Sequence, residues 1–247
     1  SLIGKSISER EPGVLITKVT GSGNEALTIN RYWMTGKIKP DLQPDIIEKI
    51  EPVIRELLSS PFSDEYRRID MDGPAESAST AVFLEPVFPL PELIIAGAGH
   101  IGKALSHLGK LLGFEVTVID NRSEYANPYN LPDADHIIVE EIGTAVENIE
   151  KRSDTYIVIV TRGHSDDAVA LKPCIGSNAG YIGMIGSKAK VAKMYSDFIR
   201  KGWATEEQWK KIYTPIGLEI RSKTVEEIAV SIAAQMILVK NSRGNVR

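Results

Sequence analysis

Leu93-Ile94-Ile95-Ala96, an apolar run of strand length, breaks into Gly97-Ala98-Gly99-His100-Ile101-Gly102 and resumes as the apolar-periodic stretch Lys103 to Leu112. Glycines at this spacing, after a strand and at the opening of a helix, restrict the chain to a strand–turn–helix unit whose turn faces an anion. Gly97 suits the tight turn, Gly99 the close approach of backbone to a phosphate, and Gly102 the packing of helix against strand. The helix start supplies unpaired N–H groups and the positive end of a dipole. Glu115 to Ile119 then reads as a second strand ending in Asp120, close to the spacing of about 20 residues at which an acid reaches a ribose hydroxyl.

The alternation continues. Asp135 to Val139, Thr155 to Val160 and Ala179 to Ile185 read as three more strands, with helices near 143–151, 166–173, 187–201 and 205–211. Thr224-Val225-Glu226-Glu227 is a capping box that opens a final helix with Ile228, Ile232, Met236 and Val239 on one face. Such alternation predicts an α/β, Rossmann-like, doubly wound parallel sheet in strand order 3-2-1-4-5, with its ligand crevice beside strands 1 and 4. The domain is expected over residues 89–247.

Residues 1–88 read as a smaller amino-terminal α+β domain. Ser1 to Arg10 has helical spacing, and Val14 to Thr20 and Ala26 to Trp33 form a hairpin around Gly21-Ser22-Gly23-Asn24. A helix with Ile46, Ile47, Ile50, Val53, Ile54, Leu57 and Leu58 on its apolar face contains Pro52, which predicts a kink or a break into two short helices. Ile69 to Asp72 and Ala81 to Glu85 are strands around a Gly73-Pro74 turn, and Pro86 to Pro91 is an extended boundary segment.

Composition narrows the function. The chain has 247 residues, a net charge of −4 and no block of basic residues, which argues against a nucleic-acid footprint. Its longest apolar runs are strand-sized, no membrane span is predicted, and no signal-peptide pattern is present. One cysteine, Cys174, excludes an internal disulfide framework and a cysteine-built zinc site, and fits the cytoplasm. The sequence starts at Ser1 without a methionine, which leaves open both an upstream segment and a cloning remnant.

Three loops at strand ends share the crevice: Gly97 to Gly102, including His100 and Ile101; Thr161-Arg162-Gly163-His164-Ser165-Asp166-Asp167; and Gly186-Ser187-Lys188. They combine backbone donors, cations and imidazoles, a set suited to a phosphate and a polar heterocycle. Asp120 is placed to accept from a diol, with Arg122 beside it leaving a 2′-phosphate open. Asp166 and Asp167 read as helix caps. Cys174 reads as a small buried hydrophobe, and no histidine has metal-ligand spacing. No catalytic set is evident; a nicotinamide-dependent oxidoreductase, binding NAD(P) with His164 as acid, is the alternative to a non-catalytic binder.

Ile94 to Gly102, Asp120-Asn121-Arg122, Thr161 to Asp166, Tyr181 to Val191, Pro215 to Ile220 and Glu226 to Gln235 together resemble the carboxy-terminal half of the xanthine dehydrogenase accessory proteins, the XdhC/CoxI-type family. The resemblance covers about residues 92–240. It implies an accessory protein that binds molybdenum cofactor, as molybdopterin or its dinucleotide, and assists its sulfuration and insertion into a molybdenum hydroxylase such as xanthine dehydrogenase. A cysteine desulfurase is then a further partner; a homodimer suits such a carrier, though no residue argues for it. Family members commonly carry an amino-terminal glycine-rich segment with a cysteine. Residues 1–85 have no cysteine, which argues against molybdenum ligation or sulfur transfer by this chain itself.

Overall fold

A computed structural model describes residues 1–21, 26–59, 66–71 and 79–242, without the side chains of Ser79 and His164. The turns read at Ser22 to Asn24 and at Gly73-Pro74, and Asp72, lie outside the described residues. The chain divides into one unit of Ser1–Pro89 with Lys240–Arg247 and another of Leu90–Val239.

The first unit begins with α1 (Leu2–Ser8), followed by β1 (Gly13–Gly21), β2 (Thr28–Thr35), α2 (Pro44–Ser59), β3 (Arg67–Asp70) and β4 (Ser79–Val87). The strands form an antiparallel sheet in the order β2-β1-β4-β3. Ile46, Ile50, Ile54 and Leu57 of α2 pack with Val14, Ile16, Val82 and Leu84 of the sheet. The predicted break at Pro52 is not found, and α2 is one helix. Pro52 lies on its exposed side, and a proline inside a helix costs about 3 kcal/mol, whereas each buried Ile or Leu contributes about 1.5–3 kcal/mol; the four buried side chains outweigh it. Pro86 and Val87, read as part of the boundary segment, belong to β4 and pair with Val14 and Gly13. Pro86 is tolerated there because β3 pairs β4 only from Ala81 to Leu84, leaving no ladder bond on that side for the proline to break.

The second unit holds β5 (Glu92–Ala96), α3 (His100–Leu111), β6 (Glu115–Ile119), β7 (His136–Ile138), α4 (Ile142–Asn148), β8 (Thr155–Ile159), α5 (His164–Leu171), β9 (Tyr181–Met184), α6 (Lys188–Arg200), α7 (Glu206–Trp209) and, as far as Val239, α8 (Val225–Ser242). A short 3-10 turn at Lys172–Cys174 closes α5, because Pro173 lacks the N–H to continue it. The sheet is parallel with order β7-β6-β5-β8-β9, the 3-2-1-4-5 arrangement the alternation predicts.

Strand residues alternate between two cores. Leu93, Ile95, Val116, Val118, Tyr156 and Val158 pack toward α3 and α8 through Leu105, Ile232 and Met236. Ile94, Ala96, Ile119, Ile157, Ile159 and Met184 pack toward α4, α5 and α6 through Val146, Leu171 and Phe198. With both faces covered, β5, β6 and β8 are buried along most of their length, which is why they read as largely hydrophobic runs. The chain reverses direction across the sheet between β5 and β8, and the Val160 amide donates to the Ala96 carbonyl at 2.9 Å, holding the two strand ends side by side.

Candidate functional site: the crevice at the ends of β5 and β8

Two of the three turn glycines are fixed by sterics. Gly97 has φ +121°, and a Cβ there would stand 2.6 Å from the Val160 carbonyl oxygen. A Cβ on Gly102 would stand 1.9 Å from the Gly97 carbonyl oxygen, so the third glycine seats the helix against the turn itself rather than chiefly against the strand. Gly99 differs: apart from its own chain neighbours, nothing lies within 4 Å of where its Cβ would be. The protein therefore does not need glycine at 99 for its own packing, whereas a group lying on the turn does.

Gly99 is the N-cap of α3 and carries no side-chain cap; the first helical bond is Lys103 N–H to Gly99 O at 2.9 Å. The amides of His100, Ile101 and Gly102 are thus the helix's first donors, without intrahelical acceptors. The adjacent strand repeats the arrangement. Gly163 is the N-cap of α5, again without a side-chain cap, and the Asp167 amide makes the first helical bond to Gly163 O at 3.0 Å. Two uncapped helix starts follow neighbouring strands. The third loop is different, because Ser187 caps α6 itself, its Oγ accepting from the Lys190 amide at 3.3 Å.

The side chains sort accordingly. His100 and Lys188 are exposed at the starts of α3 and α6. Arg162 is exposed, with its Nε 4.0 Å from Asp166. Ile101 is half-buried, its side chain packed on the core beneath α3. His164 is the first residue of α5. Thr161 Oγ donates to the Gly163 carbonyl at 3.2 Å and to Asp167. Asp167, read as a helix cap, is instead fully buried and takes the Lys190 ammonium from α6. This Asp167–Lys190 pair ties the loop after β8 to the loop after β9, and no local pattern announces it because the pair spans 23 positions.

Asp120 departs furthest from the sequence reading. It is 1% exposed, and its carboxylate is already bonded: Oδ2 accepts from the Ala98 amide at 2.8 Å and from Arg122 Nη2 at 2.8 Å, while Oδ1 accepts from Arg122 Nε at 2.8 Å and the Arg122 amide at 3.0 Å. The Arg122 guanidinium lies 4.0 Å from the centre of the Tyr125 ring. Burial by itself raises the Asp120 pKa, but the Arg122 side chain and the two amides outweigh it and hold the carboxyl below its ordinary value.

Beside α3, a cleft of about 420 Å³ is lined by His100, Lys103, His107, Leu131, Asp133 and Glu226. On the other face a groove of about 720 Å³ is lined by residues of α4, α5 and α6 together with Lys172 and Trp203. No group of three or more His, Cys, Asp or Glu among the described residues could hold a metal ion. Cys174 is buried, its Sγ donating to the Ala170 carbonyl at 3.3 Å.

The segment after α7 joins the end of β9. The Ile216 amide donates to Met184 O at 3.0 Å, and Gln235 of α8 accepts from the Tyr181 hydroxyl at 2.6 Å and the Gly217 amide at 2.9 Å. Gly217 has φ +95°, and a Cβ there would meet Ser231 Oγ at 2.3 Å. The motifs Pro215 to Ile220 and Glu226 to Gln235 are therefore two sides of one joint.

The family model described as the XdhC Rossmann domain matches residues 93–236. The chain belongs to this family. The chain has relatives among curated proteins: it is 32% identical over 174 residues, 70% of the chain, to the uncharacterized protein YqeB of Escherichia coli K12. It is 27% identical over 179 residues, 72% of the chain, to a protein of Bacillus subtilis 168 named as a probable xanthine dehydrogenase subunit. The chain covers 32% and 52% of the lengths of these relatives. A crystal structure from Bacillus halodurans, described as a xanthine dehydrogenase, shares the fold at a TM-score of 0.57 and 20% identity, covering 98% of this chain and 94% of that one. No helix among the described residues is long and apolar enough to cross a membrane.

Proposed function

We propose that this XdhC-family chain is an accessory protein that binds molybdenum cofactor and supports its sulfuration and its delivery to a molybdenum hydroxylase of the xanthine dehydrogenase type. The observation that carries the reading is the pair of uncapped helix starts at Gly99 and Gly163, on neighbouring strands, with open space over Gly99. Free amides at a helix start bind a phosphate without further machinery, and the cofactor is a phosphorylated pterin. Exposed Arg162, His100 and Lys188 are the side chains placed to add charge or hydrogen bonds. The name of the Bacillus subtilis relative points to the same class of client.

The donor set fits the phosphate and not the metal. With no cluster of metal-ligating side chains among the described residues, the molybdenum would stay on its pterin. Bound there, the cofactor brings the molybdenum centre that the client enzyme uses. Cys174 is buried, so sulfur would come from a separate protein such as a cysteine desulfurase. A nicotinamide oxidoreductase is the weaker reading, because the carboxylate that would hold a ribose diol is already occupied by Arg122 and Ala98.

Calorimetric titration with molybdopterin and with NAD tests this. The carrier reading expects molybdopterin to bind and Gly99→Val to abolish binding while leaving the fold intact. Tight NAD binding with no affinity for molybdopterin would remove it.

A further inference from the structure

One side of α3 carries Lys103, His107 and Lys110, which share a face at helical spacing. Each finds a partner in the segment after β6. Lys103 Nζ donates to Asn130 Oδ1 at 3.1 Å, His107 Nδ1 donates to Asp133 Oδ2 at 3.0 Å, and Lys110 Nζ donates to Asp135. His107 and Lys110 thus meet carboxylates, whereas Lys103 meets a neutral amide. Asn130 is held in that role, because its Nδ2 donates to the Tyr125 carbonyl at 2.8 Å and so turns Oδ1 toward the lysine. Lys103 is left as a cation with no carboxylate partner among the described residues.

Lys103 borders the cleft of about 420 Å³ beside α3, and Ala104, Leu131, Pro132 and Val225 give that cleft an apolar lining. Ser106 lines it too; the residue is 1% exposed, and its Oγ has no hydrogen-bond partner among the described residues. A serine inside a helix can bond its hydroxyl to the carbonyl four residues back. Ser106 makes no such bond, and a buried hydroxyl left unpaired costs folding free energy. The first turn of α8 also lines the cleft: Thr224 Oγ accepts from the Glu227 amide at 3.2 Å, and the amides of Val225 and Glu226 have no acceptor among the described residues. Ammonium, hydroxyl and amides can all donate, so the polar end of a ligand here is an acceptor. Its charge is limited as well. Asp133 is met by His107, but the exposed Glu226 carboxylate stands at the same cleft, so one uncompensated lysine favours a single negative charge over two.

We infer that this cleft is a second binding site, separate from the crevice, for a small monocarboxylate with an apolar body. The carboxylate takes the Lys103 ammonium and the Ser106 hydroxyl, and the apolar body lies against Leu131, Pro132 and Val225.

Benzoate and benzamide have nearly the same shape and differ in charge, so titrating each into the isotope-labelled full chain, followed by amide chemical shifts, tests the site. Benzoate should shift the amides of Ser106, Val225 and Glu226 saturably and bind at least about tenfold tighter than benzamide, the scale of one charge-assisted hydrogen bond. Lys103→Gln should bring the two affinities to within about threefold. Ser106→Ala should weaken benzoate about fivefold or more, and should leave the melting temperature of the free chain unchanged or higher, because it deletes a hydroxyl that the fold does not satisfy. A serine kept for packing would do the opposite, losing stability while benzoate binding stayed the same. Gly99→Val should leave benzoate binding as it is, which separates the cleft from the crevice. Absence of saturable shifts at these amides, equal affinities for the two probes, benzoate binding indifferent to both Lys103→Gln and Ser106→Ala, or its loss in Gly99→Val would each overturn the inference.

Discussion

Asp167, fully buried at the start of α5, accepts the ammonium of Lys190 from the first turn of α6 and the hydroxyl of Thr161 from the end of β8. One carboxylate thus sets the spacing of two of the three crevice loops. The Lys190 side chain is 26% exposed, so the carboxylate is the partner that relies on the pair.

Removing one partner should therefore cost more than removing both. Lys190→Met leaves a buried carboxylate with only Thr161, and should lower unfolding free energy by about 3 kcal/mol. Lys190→Met combined with Asp167→Asn should recover part of that loss. Urea unfolding of the two single variants and the double variant gives the coupling; additive losses would show that the two residues do not depend on each other.

The glycines of the turn should separate into structural and ligand-facing positions. Gly102→Ala drives a Cβ to 1.9 Å from the Gly97 carbonyl oxygen, both of them backbone-fixed, and should destabilise by about 3 kcal/mol or more. Gly99→Ala meets open space at φ −70° and should change stability by less than about 1 kcal/mol while weakening phosphate binding. Thermal unfolding with and without a phosphorylated ligand distinguishes the two effects.

Asp120 should make the fold sensitive to acid. Its folded pKa is below the ordinary value of 3.8, so its contribution is complete above about pH 3.8 and is lost as pH falls further, through the folded value. Asp120→Asn removes the titration. The difference in stability between the native chain and this variant should be constant between about pH 5 and about pH 7, and should shrink below pH 3.8. Urea midpoints across this range provide the measurement.

Cys174 should be chemically silent in the folded chain. Burial pushes its thiol up to about 12, against a small opposing effect of Lys151, and no solvent reaches it. A thiol-reactive dye at mildly alkaline pH should label the protein only after denaturant unfolds it. Rapid labelling of the native protein would reopen a direct role for this chain in handling sulfur.

Much of the second unit was legible in the sequence because its signals are local. The glycine turn between Ala96 and Lys103, the apolar five-residue strands and the capping box at Thr224 each depend on neighbours within a few residues, and the alternation of strand and helix then fixes a parallel sheet and its switch point. The first unit was less legible at Pro52 and at Pro86. There the local rule against proline was overridden by apolar burial on one side of α2 and by a partner strand that ends before Pro86.

The candidate site divides in the same way. That Gly97, Gly99 and Gly102 join strand to helix through a turn, and that Arg162, His164 and Lys188 lie where strands give way to helices, follows from spacing alone. That Gly99 is free of packing while Gly102 is pressed on Gly97 is decided by the tertiary structure, as is the joining of Asp167 to Lys190 across 23 residues. Arg122 is only two residues from Asp120, yet sequence distance could not say whether its fork would turn inward or outward. A two-residue offset allows either rotamer, and the choice is made by burial: once Asp120 is sealed beneath the turn at Ala98, its charge must be met by the protein, and Arg122 is the cation that meets it. The sequence by itself determined which groups gather at the crevice; the tertiary structure decided which of them remain available to a ligand, because only burial and packing establish whether a charged group must bond within the protein.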